Sequence, residues 1–511
     1  MRVVRTQLER LGDSVGAGQD PDHGRLPGCP ADSEEADRLT ELSDRVGAGA
    51  DAVVRAMRPD VDLEAVGGHV RLLRPVGAPP LAGIGGPRYD VILLRSMISR
   101  EINTCDVCCF SRVPDSHRVS TMKDVMRITG YRALRTFRNW GRPVGDVNGF
   151  IASGVTEVPL VLLETDEGVT GVGVGSTSDI DRLFPALEGE DPRGVTALYD
   201  RMLARVFKSG HGGATFGGIG TLDMALWDIK AKIAGEPLWR LLGARDRFVP
   251  GYASGLDIAL DDEALAVFYG SMAERGFTSG KLKGGADVDA DVRRLGIVAD
   301  ALSVNTARPA LMLDANESWN LKQAVRYVSA VEERVDLTWV EEPLRRWDAA
   351  GHARLSSSIR AAVATGENLT GLEQYAPLFD HRGVDVVQAG AVWGITHFLR
   401  VAVAAHSRDL PVSPVGLTSN PAVAHAAAGV PNHLSAEVQD LGTPFGLSVD
   451  EVLADGGIVL GDRPGAGVEV DEAAIAANET SGTWLSVDGP HVRSERAGLR
   501  LVPDDVAERV N

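Results

Sequence analysis

The chain has 511 residues, a formal net charge of −19 and a pI near 5.1, with 44% hydrophobic and 24% charged residues. That length exceeds what one hydrophobic core serves, so two or more units are expected. The acidic balance argues against nucleic acid or an anionic membrane as a partner, and no run of about 20 apolar residues offers a transmembrane helix.

Residues 1–121 read as a poorly ordered N-terminal extension. GAGQDPDHGRLPGCPADSEEAD and RPVGAPPLAGIGGPR are rich in Gly, Pro, Ala and acids without periodicity. VILLRSMI is the one candidate strand there. MRVVRTQLERLGDSV carries charges where a signal peptide needs an apolar core, so export is not expected. The four cysteines, Cys29, Cys105, Cys108 and Cys109, all precede Met122. CDVCC resembles half a zinc site but lacks a second ligand pair, which leaves free thiols as the reading. A main body without cysteine is not built on disulfides, consistent with a cytoplasmic location.

Residues 122–245 are expected to form an α+β cap, completed by about 451–485. VMRITGYRALRTF and VPLVLLETDEGVTGVGVG predict a strand and then a hairpin turning at DEG. Between them, RNWGRPVGDVNGFIASG is a long Gly-rich loop in which Trp140 and Phe150 serve packing or a lid. TLDMALWDIKAKIAG places Leu222, Leu226, Ile229 and Ile233 at helical spacing, with Gly235 as the stop.

From residue 246 to 450 strand and helix alternate. VPGYASG, TSGKLKG, PALMLDA, LTWVEEP, AAVATGE, VDVVQAG, LPVSPVG and NHLSAEV are the candidate strands, separated by segments that mostly carry helical periodicity. Eight strands with seven intervening segments predict an α/β fold, a (β/α)7β TIM-like barrel whose parallel sheet is covered by helices. Residues 486–511 read as a loose tail.

Function concentrates in five phrases of this region: GKLKGG, LMLDANESW, WVEEPL, ATGENL and LSAEVQD. Asp314 and Glu341 are 27 residues apart, and Glu341 and Glu367 are 26 apart, about one βα unit each. Carboxylates at the carboxyl ends of three successive strands converge at the barrel mouth. They would repel one another without a cation, and a hard divalent ion such as Mg²⁺ suits an all-oxygen donor set. Lys281 and Lys283 are one residue apart and so share a strand face. Mutual repulsion and partial burial should lower the pKa of one of them and make it a usable base. Glu342 should point away from the site, because neighbours on a strand alternate faces.

The five phrases, with DMALWDIKAKIAGEPLWRLLGA before them, resemble the enolase superfamily, and within it the mandelate racemase/muconate lactonizing enzyme type, over residues 125–475. The resemblance implies a capping domain, a seven-helix, eight-strand barrel, and Mg²⁺ held by Asp314, Glu341 and Glu367. It implies that Lys283 is the base, that Lys281 contacts the substrate carboxylate, and that Glu437, if protonated, hydrogen-bonds the developing enolate. Glu437 as a structural carboxylate at a strand end stays open beside that role. Asn316 supports the site, and His211 in KSGHGGATFGG is a further candidate donor. Homo-oligomeric assembly is also implied.

The chain departs from this pattern on strands six and seven. Gly390 and Val415 stand where a racemase of this type carries Asp and His, and AGAVWG offers no lysine. His397 and His425 lie on predicted helices as packing or surface residues. Racemisation needs proton traffic on both faces of the substrate, whereas elimination can work from one. The expected activity is therefore Mg²⁺-dependent proton abstraction α to a carboxylate, with dehydration of a hydroxy acid or sugar acid. A racemase, epimerase or cycloisomerase of a carboxylate is the alternative, and a metal-binding barrel without turnover is the alternative of another class.

Overall fold

The computed structural model describes residues 61–66, 69–75 and 125–480, apart from 209, 211, 418–420, 440 and 441. The four cysteines, the VILLRSMI strand, His211 and the 486–511 tail lie outside the described residues. Within the extension, β1 (Val61–Val66) and β2 (His69–Pro75) form an antiparallel hairpin. DLEAV and VRLLR alternate weakly at best, and sequence reading passed over them.

The cap is a three-stranded antiparallel sheet in the order β3 (Ile128–Asn139), β6 (Val155–Thr165), β7 (Thr170–Val174). The predicted long loop between its first two strands holds a small hairpin, β4 (Val144–Asp146) with β5 (Gly149–Ile151). One face of the sheet lies on the helix Gly213–Ala234. The approach explains the alternating glycines of TGVGV: a Cβ on Gly171 would meet Ala225 O at 2.2 Å, and one on Gly173 would meet Thr221 O at 1.9 Å. The helix is buried on nearly every side, including Asp223 and Asp228. Buried carboxylates need partners. Asp223 accepts Thr396 N at 2.7 Å and Thr396 Oγ1 at 2.5 Å. Asp228 accepts Val172 N at 2.8 Å and Ala466 N at 2.7 Å, and pairs with Lys232. The two acids thus pin the helix to the barrel on one side and to the cap on the other.

All eight candidate barrel strands are present: β8 (Phe248–Ser254), β9 (Ser279–Lys283), β10 (Ala310–Asp314), β11 (Leu337–Glu341), β12 (Ala362–Thr365), β13 (Val386–Gly390), β14 (Val412–Val415) and β15 (Ala436–Val438). β8 to β14 pair in parallel in chain order, β15 pairs parallel with β8, and a Val412–His433 bridge closes the ring. Among the described residues seven helices connect the strands, from Asp262–Glu274 to Ala422–Ala427. Asp261, Asp287, Asn320 and Asp348 cap four of them through their side chains, which satisfies amides that the first helical turn leaves unpaired. Tyr252, Met312, Trp339, Ala364 and Val386 pack into an apolar layer inside the barrel. The ionisable groups stand above it.

After the barrel, β16 (Leu447–Val449) pairs with β19 (Val468–Val470), and Leu447, Val468 and Val470 cover the second face of the cap sheet against Val158, Leu160 and Leu162. Between them, β17 (Glu451–Ala454) and β18 (Gly457–Leu460) form a hairpin whose β18 pairs antiparallel with the start of β8. This part of the expected 451–485 return therefore extends the barrel sheet rather than the cap. No described helix is long and apolar enough to cross a membrane.

Candidate active site

Strand register builds the site. Lys283 on β9, Asp314 on β10 and Glu341 on β11 are directly aligned neighbours. Lys283 Nζ lies 2.5 Å from Asp314 Oδ2. One step deeper, Lys281 Nζ bonds Glu341 Oε1, and stands 2.9 Å from Glu437 Oε1 and 3.4 Å from Asp314 Oδ2. Glu437 also accepts Ser254 Oγ at 2.7 Å and Gly416 N at 2.8 Å. Trp339, two residues before Glu341 and on the same face, donates its indole N–H to Glu341 Oε2 at 3.1 Å. Glu367 enters through Gly366, whose φ of +125° ends the alternation of β12. A Cβ on Gly366 would meet Gln388 O at 2.6 Å.

Above these groups lies a cavity of about 780 Å³. Lys283, Asn316, Glu342, Glu367 and Glu437 line it from the barrel, and Trp140, Asp146 and Asn148 line it from the cap. The structure therefore brings the predicted acids and lysines to one place. Lys283 reaches the cavity. Lys281 is 0% exposed and bridges three acids, so in this geometry it holds carboxylates rather than facing open space.

Two expectations change, and the neighbours of Glu437 oppose a third. Glu342 does not point away: it is buried, lines the cavity, and accepts Asn368 Nδ2 at 2.8 Å. Its φ of +39° breaks the strand alternation one residue after β11 ends. The lysines are not lowered. Burial alone would lower both ammonium groups, but the carboxylates overcome it. Glu341 and Glu437 hold Lys281 well above its ordinary value, and Asp314 does the same for Lys283. The role implied for Glu437 needs its proton, and its neighbours work against that: burial would raise it, but Lys281 and Lys283 bring it below its ordinary value.

The acids themselves are pushed apart. Burial, then repulsion from Asp314 and Glu367, drives Glu341 up to about 8. Burial and Asp314 take Glu367 to about 7, although the lysines oppose it. Asp314 is held down to about 2 because Lys283 and Lys281 outweigh its burial. Five acids, Asp314, Glu341, Glu342, Glu367 and Glu437, thus face two lysines. Among the described residues no three such side chains already stand at the spacing of a shared ion, and the lysine amines sit between them. The all-oxygen donors and the excess of negative charge fit a hard divalent cation. So does Asn316: its N–H donates to Asp314 Oδ1 at 3.0 Å, while its buried Oδ1 has no partner among the described residues.

The wall built by strands six and seven is apolar and tight. Gly390 and Val415 both line the cavity. A Cβ on Gly390 would meet Glu367 O at 2.7 Å and Trp393 Nε1 at 2.9 Å, because the short helical turn Ala391–Trp393 folds back and Trp393 donates to Glu367 O at 2.5 Å. We expect Gly390→Asp to cost about 1–3 kcal/mol through overpacking and to confer no racemisation; urea midpoints and polarimetry check both. His397 and His425 are buried packing residues, His397 against Phe216 and Tyr375, and His425 accepting Trp239 N at 3.1 Å.

Sequence reading also missed Asp257, whose Oδ1 accepts the Lys283 backbone N–H at 3.0 Å, and Asn148, which reaches Asn316 O at 2.9 Å. Neither carries a periodic signal. Trp339 could have been found, since it shares a strand face with Glu341.

Two family models match the chain: Mandelate racemase / muconate lactonizing enzyme, N-terminal domain, at residues 150–243, and Enolase C-terminal domain-like, at residues 264–474. The chain is 32% identical to the L-talarate/galactarate dehydratase of Salmonella typhimurium over 346 residues, covering 63% of this chain and 82% of that protein. It is 30% identical to the 3,6-anhydro-alpha-L-galactonate cycloisomerase of Streptomyces coelicolor over 336 residues, covering 62% of this chain and 89% of that protein. Among solved structures, the L-talarate dehydratase from Polaromonas complexed with Mg and L-glucarate matches with a TM-score of 0.62 and 29% identity, over 69% of this chain and 97% of that one.

Proposed function

Because the chain belongs to the mandelate racemase/muconate lactonizing enzyme family of the enolase superfamily, we propose that it removes the proton α to a carboxylate and dehydrates a sugar acid with Mg²⁺. The observation that carries this reading is Lys283, an ammonium that both lines the cavity and stands in register with Asp314. Asp314, Glu341 and Glu367 would hold Mg²⁺, which when bound supplies positive charge to the substrate carboxylate and to the enolate that forms from it.

The Asp314 carboxylate that holds Lys283 as an ammonium is one of those that would be taken up by Mg²⁺; released from that hold, Lys283 would lose its proton and accept the α-proton as a free amine. The C–H electron pair becomes the enolate, and its collapse expels the β-hydroxyl. Gly390 and Val415 carry no acid or base for the far face, so the leaving oxygen takes its proton from Lys283 itself. The proton lost from carbon thus leaves in water, and the enol product becomes a 2-keto acid. Lys281 keeps Glu341 and Glu437 in place through this cycle. The polar cap residues Asp146 and Asn148, with the open volume, suit a polyhydroxy acid.

The cycloisomerase relative favours a second reading, in which a ring oxygen leaves instead of hydroxide after the same proton abstraction. A sugar-acid library incubated with Mg²⁺ in D₂O and followed by NMR separates the two. A 2-keto-3-deoxy acid from an open-chain substrate is the expected result. Turnover of anhydro sugar acids alone would select the second reading, and no product from any acid would overturn both. A homo-oligomer formed through barrel or cap contacts, and a cytoplasmic location, belong to the same proposal.

A further inference from the structure

The β4–β5 hairpin leaves the cap and lies on the barrel rim in two places. On one side the Arg142 guanidinium donates to Gly255 O, Gly145 N donates to Leu256 O at 3.1 Å, and Gly145 bridges Asp257. Asp257 in turn accepts the Lys283 backbone N–H at 3.0 Å, and is itself fixed by Tyr269 Oη at 2.9 Å and Arg294 Nη2 at 2.6 Å. On the other side Asn148 Nδ2 donates to Asn316 O at 2.9 Å, and Asn316 N donates to Asp314 Oδ1 at 3.0 Å. Asn316 holds a φ of +42° there, a left-handed conformation that Asn tolerates better than most residues.

We propose that Asn148 is a positioning residue: it is the hairpin's hold on the Asp314 strand end and, with the Arg142 and Gly145 contacts on the Lys283 side, it sets the base against its acid. The mundane role for an Asn in a tight hairpin is to make the turn. Here Asp146 makes it, accepting Asn148 N at 2.7 Å, and the Asn148 amide is spent across the interface instead. One leg runs from the hairpin through the 255–257 loop to Lys283. The other runs through Asn316 to Asp314. Neither Asn148 nor Asp257 touches the lysine or aspartate head groups in these bonds; they act through backbone amides. A cap lifted from the rim would free both strand ends together.

The inference rests on the roles proposed above for Lys283 and Asp314, and its test is arranged so that the two can fail separately. Asn148→Asp is isosteric but sets a carboxylate against the Asn316 carbonyl, and Asn148→Ala removes the bond without adding charge. Mg²⁺ affinity of the substrate-free full chain is measured by calorimetry, alongside kcat, KM and Tm. For Asn148→Asp we expect Mg²⁺ binding weakened about tenfold or more and kcat lowered about 10- to 100-fold, the range typical of groups that orient ligands. Tm should move by only about 2 °C, as for a surface change. Asn148→Ala should move the same quantities in the same direction by less, and carries the test alone if Asn148→Asp does not fold. A loss in Tm with unchanged Mg²⁺ affinity and kcat would reduce Asn148 to a structural residue and overturn the proposal. If the unaltered protein turns over no sugar acid yet Asn148→Asp still weakens Mg²⁺, the clasp stands and the activity assignment falls.

Discussion

Lys283→Ala should lower kcat by about 10³–10⁴-fold, the upper range for loss of a general base, while the protein still binds Mg²⁺. The amine lines the cavity and in the proposed reaction takes the α-proton, and its nearest neighbour Asp314 is an acid held ionised. Removing the amine removes a cation from an acid-rich cluster, so Mg²⁺ affinity should hold or rise. Lys283→Arg sharpens the test. It keeps the positive charge, but a guanidinium does not deprotonate and cannot serve as base, so this variant should be as inactive as alanine. Solvent exchange at the substrate α-carbon, followed by NMR, reads the step directly. Turnover retained by either variant would remove Lys283 from the role.

The second large effect is a pH dependence of metal binding. Glu341 sits at about 8 and Glu367 at about 7, both raised first by burial. Unfolded, each titrates near 4.3. A folded carboxyl that keeps its proton longer than the unfolded one favours the fold most at low pH. That contribution is present below about 4.3 and fades as the pH climbs through 7 and 8. The metal-free protein should therefore lose stability over this window. On the proposed ligand set Mg²⁺ displaces the same protons, so its affinity should grow about tenfold per pH unit for each proton released. The rise in Tm on adding Mg²⁺ should be larger at pH 8 than at pH 6. A shift independent of pH, or larger at pH 6, would detach Glu341 and Glu367 from the cation.

The barrel and its acids were legible because they rest on period and spacing. Asp314 and Glu341 fall at strand ends one βα unit apart, and Lys281 and Lys283 share a face by simple alternation. What escaped depends on single backbone angles and on partners distant in sequence. The inward turn of Glu342 follows from one positive φ, which no pattern of side chains announces. Repulsion between Lys281 and Lys283 is visible in the sequence, but not that Asp314 comes within 2.5 Å of Lys283. Attraction at that distance outweighs both repulsion and burial. The β4–β5 hairpin has three-residue strands, too short for alternation to register. Gly390 was read as a missing acid. Its surroundings show why none fits, since Glu367 O and Trp393 already fill the place of a Cβ.

The polypeptide starts the cap, builds the whole barrel, and then returns to finish the cap. Phe445 stacks on Phe137 at 5.3 Å and accepts Thr136 Oγ1, while Arg132 pairs with Glu472 across more than 300 residues. A cap of this kind has no single junction at which it could be exchanged as a cassette between relatives. What the enzyme accepts is then open to change at single rim residues beside Asn148 rather than at Asn148 itself, while the early and late parts of the cap stay packed face to face.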